Sequence, residues 1–144
     1  MASHSPEGYL AVRNALSAVS ISATTNGLEV DTKGYGYVTF VVNAGILTDG
    51  GSATLDIKVQ ETDVTGFGGT VTDITGATFT QITTANDVAV YVGRVRIDAS
   101  RDRYMRLVLT EGGTITSALV AAVAVLTEPE GGSANVGETY EFTV

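Results

Sequence analysis

The chain contains no cysteine, no tryptophan, one histidine and two prolines in 144 residues. Without cysteine there are no disulfides, no thiolate metal sites and no thiol nucleophile. Without tryptophan the best stacking surface for a sugar ring is missing. The one histidine, His4, stands close to the N-terminus. A Ser-His-Asp arrangement needs its imidazole held rigidly between two partners, so no catalytic role is expected there. Basic residues are scarce: eight Lys and Arg against sixteen Asp and Glu leave a net charge of −8. A chain that neutralises nucleic-acid phosphates needs a basic face, so no nucleic-acid partner is expected. The longest apolar run, Ala118–Leu126, is nine residues. That is well short of the roughly 18 needed for a membrane-spanning helix. No basic stretch followed by an apolar one opens the chain, so no secretory signal is expected.

What is present is a β-rich body. Hydrophobic residues make up 44% and charged residues 17% of a chain whose length suits one domain. The two prolines, Pro6 and Pro129, bracket a proline-free stretch. We divide the chain into an N-terminal arm (1–9), a body (10–127) and an acidic C-terminal arm (128–144). The last carries Glu128, Glu130, Glu138 and Glu141 and opens on a Pro/Gly/Ser-rich linker. Within the body, Gly, Asn and Asp clusters separate short Val-, Thr-, Ile- and Tyr-rich segments. The spacing predicts strands near Ala15–Ser22, Leu28–Asp31, Tyr37–Asn43, Thr54–Glu61, Val71–Asp73, Thr78–Thr83, Val88–Ile97, Arg103–Thr110 and Ser117–Leu126. Alternation is cleanest over Thr54–Gln60, where Leu55, Ile57 and Val59 share a face. Tyr37–Val42 and Ala118–Leu126 are apolar on both faces, the pattern of strands covered on two sides. Gly8–Ala18 fits a short helix or a first strand. The expected fold is all-β: an antiparallel β-sandwich, jelly-roll-like, with extended N- and C-terminal arms.

The residues offer little chemistry, and neither a catalytic residue, a cofactor nor a metal is expected. Asp56 and Glu61 are the candidates for a glycosidase pair, but alternation puts them on opposite faces, and solvated surface charge is the plainer reading. Asp49 and Asp63 lie in loops that lack the ligand spacing of a calcium site and read as turn residues. The glycine clusters at Lys33–Tyr37 and Thr65–Gly69 lack the Lys-Ser/Thr ending of a phosphate loop.

Two features point to partners. Five of the eight basic residues, Arg94, Arg96, Arg101, Arg103 and Arg106, fall close together. Were Val92–Ile97 and Arg103–Leu109 a hairpin, Arg94, Arg96 and Arg106 would share a face. Such a cluster is neutralised within the chain or meets carboxylates of a neighbouring protein. The tail places Tyr140, Phe142 and Val144 on one side of an extended segment. It folds back on its own body or adds to a sheet edge of another subunit.

Several phrases resemble a known group. They are Tyr37-Val-Thr-Phe-Val-Val-Asn-Ala-Gly-Ile-Leu-Thr-Asp-Gly, Leu55-Asp-Ile-Lys-Val-Gln-Glu-Thr-Asp, Asp73-Ile-Thr-Gly-Ala-Thr-Phe, Tyr91-Val-Gly-Arg-Val-Arg-Ile and Arg103-Tyr-Met-Arg-Leu-Val-Leu-Thr. Over about Tyr37–Leu126 the chain resembles structural proteins of tailed-bacteriophage virions, most of all capsid decoration (cement) proteins. The resemblance implies a non-enzymatic protein, made in the host cytoplasm, that sits on the capsid surface as a homodimer or homotrimer. It implies that the major capsid protein is the partner, with no nucleic acid and no membrane involved. On this reading Arg94, Arg96, Arg103 and Arg106 meet acidic capsid surface, and Tyr140, Phe142 and Val144 anchor the tail. A head–tail connector or tail protein shares the same composition. A carbohydrate-binding sandwich would use Tyr35, Tyr37 and Phe67.

Overall fold

A computed structural model describes residues 10–49, 52–127 and 141–144. Its strands are β1 (Leu10–Ile21), β2 (Thr25–Asn26), β3 (Val30–Asp31), β4 (Tyr37–Asp49), β5 (Thr54–Thr62), β6 (Thr72–Thr78), β7 (Ile82–Thr83), β8 (Ala89–Arg96), β9 (Tyr104–Gly112), β10 (Ile115–Thr127) and β11 (Phe142–Thr143). They form two sheets packed as a sandwich. Sheet A has the order β1-β10-β4-β8-β11; sheet B has β2-β9-β5-β6, with β3 also on β9 and β7 on β5. Every pairing is antiparallel except that of β11 with β8. The protein is thus an all-β sandwich, and no α-helix occurs among the described residues.

The strands form where period-2 patterning lets one face be buried. In β5, Leu55, Ile57 and Val59 are fully buried and face Leu109 and Leu107 of β9, while Asp56, Lys58 and Gln60 point outward. In sheet A the inward rows are Leu126–Val38–Val95 and Ala122–Val42–Tyr91. Between them lies Ala124–Phe40–Gly93, with Phe142 of β11 registered beside Gly93. Phe40, the largest fully buried side chain, sits at the middle of this layer. Burial of each such side chain stabilises the fold by about 1.5–3 kcal/mol.

One open alternative is decided and two expectations are corrected. Of the two alternatives for Gly8–Ala18, the described part, from Leu10, is the first strand and not the helix, because its backbone pairs along β10. Two register shifts, at Asn14/Leu16 and Leu16/Val19, bend it as an edge strand. The hairpin that would have gathered the arginines does not form. β8 pairs with β4 in sheet A and β9 pairs with β5 in sheet B, so the segment from Ile97 to Arg103 crosses between layers. Finally, Glu61 is not solvated surface charge. It keeps step with Leu55, Ile57 and Val59, points inward opposite Met105, and is only 6% exposed.

Candidate interaction surface

The separation of β8 from β9 divides the arginines. Arg94 and Arg96 project from the outward face of sheet A; Arg103 and Arg106 belong to sheet B. Arg106 donates from Nε and Nη2 to Gln60 Oε1 at 3.2 and 3.0 Å, and its guanidinium lies 4.2 Å from the centre of the Phe67 ring. Arg103 grips Asp31 with both arms of its fork, Nε to Oδ1 at 2.9 Å and Nη2 to Oδ2 at 2.7 Å. That bond holds the Asp31 carboxyl down at about 2, from an ordinary 3.8. A lowered carboxyl stabilises the fold above its unfolded value and loses that contribution as pH falls through the folded one. Asp31→Asn is therefore expected to flatten the fall in stability between pH 3.8 and about 2, as read by acid unfolding followed with circular dichroism. An unaltered acid profile would remove Asp31 from the cause.

Arg101 turns the other way and closes one end of the core. Its Nη1 donates to Glu61 Oε1 at 3.0 Å, and the Asp102 backbone N–H donates to Glu61 Oε2 at 3.1 Å. Burial pushes the Glu61 carboxyl up, against the opposing pull of these two donors. Burial also raises Asp102, together with the neighbouring charge of Asp63. A shallow cleft of ≈ 310 Å³ opens beside them, edged by Lys33, Arg101, Arg103, Asp63 and Asp102. Its charges of both signs offset one another. Among the described residues no group of three or more His, Cys, Asp or Glu side chains could hold a metal ion. His4 lies outside the described residues, as does the side chain of Asp49.

The tail residues fall into two groups. Tyr140 lies outside the described residues. Phe142 and Val144 are packed on the chain's own body. The Phe142 ring is 8% exposed and meets Phe79 edge-on, with centroids 4.9 Å apart and planes at 73°. A Cβ at Gly93 would overlap that ring, so glycine is what makes the socket. Val144 leans on Gly76 of β6, and the Glu141 carboxylate accepts the Thr80 hydroxyl and, at 3.3 Å, the Thr80 N–H. The three candidate sugar-stacking aromatics do not form one platform. Tyr37 lies on sheet A beneath Arg94, Phe67 lies against Arg106 of sheet B, and Tyr35 packs against the core.

The feature that sequence reasoning caught only in part is the outer face of sheet A. Register places four rows there: Leu10–Thr127–Tyr37–Arg96, Val12–Val125–Thr39–Arg94, Asn14–Val123–Val41–Val92, and Ala121–Asn43–Val90. None of these residues is a carboxylate, in a chain with sixteen. Val12, Val90 and Val123 are 56%, 59% and 39% exposed, and Leu119 and Ile46 beside them are 58% and 62% exposed. The outer face of sheet B, by contrast, carries Asp56, Lys58, Gln60, Asp73 and Arg106. Apolar residues on both faces of β4 and β10 predict cover on both sides, yet among the described residues no element packs on this one. At one end stands a basic corner. Arg94 stacks on the Tyr37 ring, 3.7 Å from its centre, and Arg96 is exposed next to it. The guanidinium–ring contact holds Arg94 flat against the sheet. At the other end Val88 has φ 52°, a strained left-handed conformation for a β-branched residue, and is 66% exposed.

No family model matches the chain, and no curated protein matches it. Among solved structures it is similar to dimeric latent PorU from Porphyromonas gingivalis, with 13% identity and a TM-score of 0.42, over 83% of this chain and 12% of that one. The chain thus spans about an eighth of PorU's length, and a likeness at this level carries no argument about function.

Proposed function

We propose that this chain is a structural protein of a tailed-phage virion. It attaches to the outside of the assembled capsid and stabilises contacts between major capsid protein subunits. The observation that carries this reading is the outer face of sheet A: an open, apolar, carboxylate-free surface with arginines at one corner, on an otherwise acidic protein. Exposed apolar sheet of this extent marks a protein-docking surface, and arginine fits carboxylates bidentately. The resemblance of its sequence phrases to decoration proteins points to the same reading. The capsid-facing arginines are Arg94 and Arg96. Arg103 and Arg106 are engaged by Asp31 and Gln60 on the opposite sheet. A protein that binds the assembled shell better than its loose subunits stabilises the shell by mass action, and many copies multiply a modest contact.

Arg94→Glu with Arg96→Glu is expected to abolish co-sedimentation with purified capsids while leaving the circular dichroism spectrum unchanged. Capsid binding at wild-type level by this folded variant would sink the assignment of the arginines. The role itself is tested by copy number in virions from the source encoding this chain, measured by mass spectrometry. Hundreds of copies support decoration. About six or twelve, the stoichiometry of a ring at one vertex, would make it a connector or tail protein instead.

A further inference from the structure

We propose that the groove between β8 and β6 is a strand-acceptor site, and that an extended segment of the major capsid protein enters it in place of the chain's own residues 141–144. The groove is independent of the virion role; the source of the incoming segment rests on that role. The present occupant shows what the groove selects. Phe142 is buried and Val144 half-buried, while Glu141 and Thr143 are exposed, the alternation of an extended strand. Each inward side chain meets a glycine, one from each sheet. Gly93 of β8 leaves the floor clear for the Phe142 ring, with Phe79 as its wall, and Gly76 of β6 faces Val144. A side chain at either glycine would claim the segment's space. The backbone does the rest. The Glu141 N–H donates to the Val92 carbonyl at 2.6 Å, the Val144 N–H donates to the Arg94 carbonyl at 3.1 Å, and the Val144 carbonyl accepts the Arg96 N–H. At the rim, the Glu141 carboxylate accepts the Thr80 hydroxyl and N–H. Main-chain bonds supply affinity in such a site, and side-chain pockets supply selectivity. The ligand is thus an extended peptide with an acidic residue, an aromatic, any residue and an aliphatic in succession.

Two observations make the occupant exchangeable. β11 is the one parallel strand among the described residues, is two residues long, and lies at the edge of sheet A. Its link to β10, residues 128–140, is a length of chain that reaches about 45 Å when extended. The three strand spacings from β10 to β11 amount to roughly 15 Å. The groove, and not the connection, therefore holds the segment in place. Position names the newcomer. The backbone groups of Arg94 and Arg96 that bond Val144 belong to the two residues whose side chains form the capsid-facing corner. The groove thus continues the proposed capsid surface around the edge of β8. A capsid subunit held at that corner brings its own extended segments to the mouth of the groove.

The test uses a fluorescein-labelled peptide, Glu-Thr-Tyr-Glu-Phe-Thr-Val (residues 138–144), and fluorescence anisotropy with the full chain. The Phe142→Ala chain, its groove vacated, should bind the peptide about tenfold more tightly than the wild-type chain, whose own segment competes. Gly93→Ala added to Phe142→Ala should weaken that binding by about 30-fold or more. Phe142→Leu takes the place of Phe142→Ala where circular dichroism shows the latter unfolded. A folded, vacated chain that ignores the peptide overturns the proposal, as does binding that Gly93→Ala leaves unchanged. The source is tested on purified capsids by hydrogen exchange. The Val144 amide should lose its protection when the wild-type chain attaches, because the capsid segment replaces residues 141–144. Attachment with that protection intact overturns the capsid segment while sparing the virion role. A chain that takes the peptide but does not co-sediment with capsids overturns the virion role and, with it, the capsid as source. A wild-type dimer that free peptide dissolves would assign the groove to a second copy instead.

Discussion

Phe142→Ala is expected to destabilise the protein by about 3 kcal/mol, the low end for truncating a buried phenylalanine because β11 lies at a sheet edge. The ring fills the space over Gly93 and meets Phe79 across the sandwich, so its removal opens a cavity between the layers. It also loosens a strand whose backbone is held by the Glu141 N–H donating to the Val92 carbonyl at 2.6 Å and the Val144 N–H donating to Arg94 at 3.1 Å. Urea unfolding followed by circular dichroism measures the loss. Gly93→Ala tests the same contact from the other side, since its methyl group needs the volume of the ring. Alone it should cost as much as Phe142→Ala; in the Phe142→Ala background it should cost far less. Residues in contact couple in this way and distant ones do not. Additive losses would show that Phe142 does not occupy the socket in solution, as would a loss below about 0.5 kcal/mol, the scale of a surface change.

The second large effect is at Arg101. Arg101→Ala removes the counter-charge of a carboxylate that is 6% exposed. An unpartnered buried charge costs several kcal/mol. With the arginine itself partly open to water, we expect a loss of about 2–3 kcal/mol at neutral pH. The pH dependence separates this from lost packing. The Glu61 carboxyl is raised above its ordinary 4.5, so its ionisation already favours the unfolded chain. The fold is most favoured by this group below 4.5 and loses that advantage as pH rises through the folded value. Without Arg101 the folded value moves further up and the window widens. The variant's deficit should be small near pH 4 and full at neutral pH. Glu61→Gln added to Arg101→Ala should recover most of the loss at neutral pH. A deficit that ignores pH, or a double variant no better than Arg101→Ala, would refute an ionic origin.

Much of this architecture was legible in the residues, and the misreadings share one cause. Alternation located β5 and β9 to within a few residues, because a strand buried on one side must repeat every second position, and Val-, Ile- and Tyr-rich composition located β8 and β10. It also put Asp56 and Glu61 on opposite faces. What alternation does not carry is the identity of the inner face at the end of a strand. Glu61 looked like surface charge because its partner, Arg101, comes from a loop forty positions away. The missed signal was its being in phase with Leu55, Ile57 and Val59. The arginine hairpin fails for a related reason. A short connection between two strands suggests a hairpin, but this one arches from one layer to the other, and adjacency in sequence became opposition in space. The outer face of sheet A was half visible. Strands apolar on both sides predict cover on both, and among the described residues only the inner side has it.

Leu10 and Thr127 are registered partners, so the chain enters β1 and leaves β10 side by side at one corner of the sandwich. That neighbourhood gives the molecule a mechanical grain. Tension on those two points opens the β1–β10 ladder one rung at a time, as a zipper opens, each rung holding about 1 kcal/mol. Tension spread across the face of sheet A meets five strands at once and must shear many rungs together. The Leu10/Thr127 corner is therefore the weak point under load, and the broad face of sheet A the strong one.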